Sequence, residues 1–305
     1  ERPRALAGPP RLSLLVMVLG LGTLSAAAQL ASSRVQLAAT YLTAGAALAV
    51  GGAVTVRRRA PWSTGWPAVL LGCATTVLAI LAWTATTWPR PLVVGTVVAG
   101  VALALTGYVQ LVRSQASHHH ALVVQIDAAV LTVGVAYLAW VHLLQPLLAH
   151  EEATPSGVTV YGTFLVAALV GFFLGARLVL DRPASATALH LAAVPVLPTV
   201  GGVLAVHSGA VAGDPLVGWA AAANFGTCVL LAAAAALPRE ASAKDRRGTG
   251  GLSRLRGPGW VSLVVAVPVL SVVADPDPQS RVDELLLLGA VTVMAALITL
   301  RVDVV

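Results

Sequence analysis

Val35-Gln-Leu-Ala-Ala-Thr-Tyr-Leu-Thr-Ala-Gly-Ala-Ala-Leu-Ala-Val-Gly-Gly-Ala-Val-Thr-Val56, followed at once by Arg57-Arg58-Arg59, carries the plan of the whole chain. A charge-free apolar run of this length matches a bilayer. Hydrocarbon about 30 Å thick takes roughly twenty residues of helix, each rising about 1.5 Å. Cationic segments resist translocation, so the three arginines assign the end of this run to the cytosol.

The same unit repeats outward in both directions. Apolar runs predict ten spans, near 12–30, 35–56, 66–86, 92–112, 122–148, 158–180, 187–207, 216–237, 260–274 and 285–300. Nearly all of the nineteen Lys and Arg residues fall in alternate gaps. Counting the N-terminal flank as the first, those gaps hold Arg2, Arg4 and Arg11, then Arg57, Arg58 and Arg59, then Arg113, then Arg177 and Arg182. After these come Arg239, Lys244, Arg246, Arg247, Arg254 and Arg256, and last Arg301. Only Arg34, Arg90 and Arg281 lie in the other gaps, which instead collect Glu151, Glu152, Asp214, Asp275, Asp277, Asp283 and Glu284. The expectation is an all-α, polytopic integral membrane protein of the bacterial cell membrane. It has about ten transmembrane helices in a single domain over 1–305, both termini in the cytosol, and a basic cytoplasmic loop at 238–259. Amphipathic rings favour the headgroup zone, and here they sit at run ends: Trp62, Trp66 and Trp260 on the cytoplasmic side, Trp83, Trp88, Tyr161 and Trp219 opposite.

Composition excludes a soluble globule. The chain has 305 residues, 57% of them apolar and 10% charged, with a mean hydropathy of +0.85, too few polar side chains to build a water-facing surface. A net charge of +6 could suggest nucleic acid. The basic residues are short loop clusters without aromatic platforms, however, and point to the anionic face of the lipid bilayer. The Ala, Val, Leu, Gly and Arg bias, with Lys244 the lone lysine, is expected of a GC-rich bacterial coding sequence. Cys73 and Cys228 stand singly inside apolar runs and read as small packing residues. The first run, with Ser25-Ala-Ala-Ala-Gln29 after it, has the outline of a secretory signal, but its length and the spans that follow favour a retained helix. Glu1 at the start, and Val305 directly after an apolar run, predict a longer polypeptide around this chain.

Ionisable groups in hydrocarbon are costly, so each one asks for a role. Asp127, Arg177 and His190 share a depth near the cytoplasmic ends of the fifth, sixth and seventh spans. Asp181 stands at i+4 from Arg177. Two readings stay open: an Asp–Arg knot closing antiparallel helices, with Asp127 favoured by the positive end of its helix, or a proton or ligand relay. Toward the other face, His142 and Gln145 with His150, Glu151 and Glu152, then His207 and Asp214, form a candidate sensing surface or a merely solvated rim. Their spacing carries no zinc signature, and no motif names a cofactor or a small-molecule ligand. Asn224 in the eighth span suits an interhelical hydrogen bond. Gly171 and Gly175 form a small-xxx-small pair for helix packing that also permits a homodimer. His118-His-His120 reads as a solvated loop.

Ten helices with both ends inside is also the outline of drug/metabolite-type transporters, built as two inverted halves. Matching broken spans are expected in such halves. Pro195 and Pro198 in the seventh span have no counterpart in the second, nor does Pro268 in the fourth, so a carrier is the alternative. The run Leu122-Val-Val-Gln-Ile-Asp127-Ala-Ala-Val-Leu-Thr-Val-Gly-Val-Ala-Tyr-Leu-Ala-Trp140-Val-His-Leu-Leu-Gln-Pro146 resembles the membrane-spanning input regions of actinobacterial GGDEF and GGDEF–EAL signalling proteins. The resemblance covers roughly residues 91–240 and is most specific at Asp127, Trp140 and Pro146. It implies an input domain whose last helix continues into a cytosolic cyclic-di-GMP output. No GGDEF or EAL sequence is present, nor HExxH, nor GxSxG, so no catalytic role is expected of these residues.

Overall fold

Runs that bury their own backbone hydrogen bonds are the only open-chain form hydrocarbon tolerates, and the apolar runs take that form. The computed structural model describes residues 10–29, 33–84, 88–115, 121–145, 155–181, 185–207 and 215–237, with 289–290, 292–293 and 296–297 of the last predicted span. Among these the regular structure is entirely helical. The helices are α1 (Pro10–Ala28), α2 (Ser33–Arg57), α3 (Trp66–Thr84), α4 (Arg90–Gln115), α5 (Ala121–Ala139, continuing as a π-helical turn over Trp140–Leu144), α6 (Pro155–Asp181), α7 (Ala186–Ala193), α8 (Val196–His207) and α9 (Pro215–Ala236). Seven spans among the described residues are long and apolar enough to cross a membrane, α7 and α8 together making one; the apolar stretch of α1, Leu12–Ala28, is shorter. The protein is an all-helical polytopic membrane protein. The first eight predicted spans overlap these helices over the described residues, the seventh as two helices in place of one. The ninth, near 260–274, and the basic loop at 238–259 lie outside the described residues, and the tenth is described only at the six helical positions above. Large apolar side chains such as Leu42, Val56, Leu78 and Val166 face outward, as lipid solvation requires. Several threonine hydroxyls inside the spans bond their own helix, as Thr40 does to the Gln36 carbonyl and Thr76 to that of Gly72.

Two compact units make up the chain, Glu1–Ala116 with Pro146–Arg239 and Ser117–Gln145 with Glu240–Val305. In the second the described helix is α5 with its π turn.

The first unit is organised around α9. Of its spanning window 72% is buried, against 28–33% in the other spans, which marks it as the hub. Its last turns are Ala232–Ala236, small enough for neighbours to approach closely on all sides. Helices α1, α2, α7 and α8 pack on it. A Cβ at Gly20 of α1 would lie 2.6 Å from Val229. Tyr41 of α2 meets Phe225 edge-on, ring centroids 5.1 Å apart. The Gln36 amide donates to the Ala28 carbonyl at the end of α1, where Gly218 of α9 also packs.

At the far end of α2 the chain turns through a Schellman motif. The Ala60 N–H bonds the Thr55 carbonyl and the Arg59 N–H that of Val56, with Arg59 itself left-handed at φ 48°. This turn aims the half-buried Arg58 at the end of α9. Its Nη1 donates to the carbonyls of Ala235 (2.7 Å) and Leu237 (2.8 Å), and its Nη2 to that of Ala236 (3.2 Å). The ends of α2 and α9 therefore share one side of the layer.

Helices α3 and α4 form an antiparallel hairpin in backbone contact. A Cβ at Gly72 would overlap the backbone of Ala104 and lie 2.6 Å from the Gly100 carbonyl. One at Gly107 would lie 2.5 Å from the Val69 nitrogen. Helix α6 runs parallel to α4: Val160 and Phe164 pack near Val93 and Val97 at one end, and Gly175 stands by Tyr108 toward the other.

Candidate functional site

The seventh predicted span is not one helix. Proline has no N–H, so in a helix Pro195 leaves the Leu191 carbonyl, and Pro198 the Val194 carbonyl, without the usual i→i−4 donor. The chain breaks between α7 and α8 at this point. Hydroxyls from two other helices take the vacated places. Tyr108 of α4, only 5% exposed, donates to the Leu191 carbonyl at 2.7 Å, and Thr227 of α9 to that of Val194 at 3.5 Å. The Val194 N–H is shared between the carbonyls of His190 (3.2 Å) and Leu191 (3.3 Å), closing the last turn of α7. Thr199 donates to the Pro195 carbonyl at 3.1 Å.

Glycines make the room. A Cβ at Gly171 of α6 would meet Pro195 at 3.0 Å. One at Gly175 would lie 2.8 Å from the Ala192 Cα and 3.1 Å from the Tyr108 hydroxyl. The Gly171/Gly175 face is thus occupied by the chain's own broken helix. On the other flank Gly201 of α8 leaves space for the amide of Asn224, whose Nδ2 donates to the Ala220 carbonyl of its own helix at 3.0 Å. Around the break Leu174, Leu178, Leu191, Val194, Leu230 and Leu231 exclude water. Both hydroxyls thus bond the C-terminal end of α7, and the break leaves neither the Leu191 nor the Val194 carbonyl unpaired.

No protein family, curated protein or solved structure matches this chain. Function is read from its own residues.

Arg177 is half-buried near the end of α6. His190, on α7, uses Nδ1–H to bond the Ala186 carbonyl at 2.7 Å, and Ser185 caps the same helix by accepting from the Ala188 N–H at 3.2 Å. The side chains of Asp181 and His207, which end α6 and α8, lie outside the described ones, as do residues His150, Glu151, Glu152 and Asp214. Asp127 is half-buried on α5, with Oδ1 closed to solvent, and belongs to the second unit, whereas Arg177 and His190 belong to the first. His142 is exposed on the π turn. The Gln145 backbone N–H donates to the Trp140 carbonyl, an i→i−5 bond that continues the π geometry.

Tyr108 and Thr227 escape a reading of the sequence alone. The signal that could find them is the proline pair: each proline removes an i→i−4 donor where no lipid group replaces it, which makes hydroxyls on neighbouring helices the candidates. Tyr108→Phe is expected to lower stability by about 1 kcal/mol, the net contribution of one hydrogen bond, since the Leu191 carbonyl keeps its bond from the Val194 N–H. Thr227→Val, removing a longer bond, is expected to cost less. Thermal unfolding of the purified chain in detergent checks the order.

Proposed function

We propose that this chain is the sensory or anchoring domain of a bacterial signalling protein. It sits in the cell membrane with both termini in the cytosol and acts through its tenth span on a GGDEF-type output. The observation that carries the reading is the π turn at Trp140–Leu144, inside the run that resembles signalling input regions. A π turn holds one residue more than the α-helix it interrupts and is frequent at functional sites. Its conversion to α-helix advances the rest of the helix by one residue, about 1.5 Å and about 100°. His142, exposed on that turn, is where a ligand or a proton could bias the two forms. Dimerisation of the kind such signalling uses falls to faces other than Gly171/Gly175, which the chain itself covers.

The test is the reading frame after Val305. An in-frame GGDEF domain is expected, with cyclic-di-GMP synthesis in membranes that changes on His142→Ala. A stop codon there would sink the reading. A reporter fused at Val305 is expected to be active in the cytosol.

The discontinuous α7–α8 span favours a second reading, a secondary transporter, because such carriers build substrate sites from broken helices. Solute flux into vesicles that is lost on Arg177→Ala or Asp127→Asn would select it.

A further inference from the structure

The two cysteines of the chain are 155 residues apart in sequence, yet the fold brings them together. Cys228 is buried in the cluster around α9 that also holds Leu24, Ala44 and Val229, and Cys73 of α3 packs against that cluster, half-buried. That packing places Cys73 beside the cluster of Cys228 where α3 meets α9. Their levels agree. Arg58 ties the α2–α3 turn to the end of α9, and Cys73 stands about two turns after that turn while Cys228 stands about two turns before that end. Gly72 and Thr76 beside Cys73 are taken up by α4. The thiol therefore lies at the seam between the α3–α4 hairpin and the hub helix.

We propose that Cys73 and Cys228 form a redox-modification site, a thiol pair that a lipid-soluble quinone converts to an intramolecular disulfide joining α3 to α9. Two S–H bonds break and one S–S bond forms. The two electrons and two protons pass to the quinone, which leaves as the hydroquinone. Cys73, partly open at the surface, is the thiol such an oxidant reaches first, and Cys228 behind it resolves the oxidised sulfur. Hydrocarbon suits this oxidant class because a quinone partitions there, whereas ionic oxidants do not. The cross-link fastens the hairpin to the most buried of the described spans, and the site does not depend on the signalling reading above.

The experiment uses the full chain in proteoliposomes exposed to a fully ring-substituted short-chain quinone. A dithiol peptide in the same vesicles serves as the oxidation control. After denaturation, remaining thiols are tagged with a maleimide polymer. The wild type is expected to lose both tags together, to regain both on reduction, and to stay monomeric on a non-reducing gel. Cys73→Ser and Cys228→Ser are each expected to keep their one remaining tag. The proposal is overturned if the wild type keeps both tags while the control peptide is oxidised, if the single variants lose theirs equally, or if the only disulfide formed links two chains.

Discussion

Gly72→Leu is expected to prevent the α3–α4 hairpin from forming, with little folded protein recovered from membranes. The new side chain would have to occupy space held by the backbone of Ala104 and the carbonyl of Gly100. Overpacking in a core that can shift its side chains costs about 1–3 kcal/mol. Here the obstacle is backbone, so relief would require moving a helix, and the cost exceeds that range. The displacement would spread, because α4 carries Tyr108 to the broken helix and Leu111 and Val112 to the main core. Gly95 lies on the same α4, and a Cβ added there would meet no atom within 4 Å. Gly95→Ala should therefore be neutral or slightly stabilising, alanine being the better helix former by about 1 kcal/mol. Yield and thermal unfolding in detergent give the comparison. Equal stability of the two variants would show that the hairpin is not held by close backbone approach.

What the sequence discloses here and what it conceals have one physical origin. A span such as Val35–Val56 is legible because hydrocarbon demands an uncharged helix of a set length. The same demand erases the azimuth. Leu42 and Leu78 face outward while Leu111 and Leu178 are buried, yet all four are leucines in apolar runs. With lipid on one side and core on the other, residue type does not separate the faces as it does in water. Depth is what survives. Asp127, Arg177 and His190 can be grouped by depth, but depth alone does not say which helices are neighbours. Pro195 and Pro198 are visible as breaks, whereas the donors that answer them, Tyr108 and Thr227, belong to other helices. The glycine pair singled out, Gly171 and Gly175, does pack closely, but on Pro195 and Ala192 of the same chain. The tighter glycines, Gly72 of α3 with Gly100 and Gly107 of α4, meet across two spans, and nothing in the sequence says which span faces which.

Arg58→Ala is expected to be the most damaging of the three substitutions in the Arg57-Arg58-Arg59 run, although charge alone makes the three equivalent. A helix ends with unsatisfied carbonyls, and at the end of α9 those of Ala235, Ala236 and Leu237 all accept from the one guanidinium. The cation also opposes the negative end of the helix dipole. Hydrogen bonds to a charged donor contribute about 1.5–3 kcal/mol. Helix α9 is the hub, so fraying its last turn loosens α1, α2 and the α7–α8 pair together. Arg57 is exposed, and its loss should cost no more than about 0.5 kcal/mol. Arg58→Lys keeps the charge but presents a compact ammonium in place of a planar fork, so it should recover part of the loss and not all of it. A reporter at the α2–α3 turn should keep its side in every single variant, since two arginines remain to hold it there. Unfolding that falls for Arg58→Ala, with orientation unchanged, separates the cap from the topological signal. Equal effects of Arg57→Ala and Arg58→Ala would reduce Arg58 to one of three interchangeable charges.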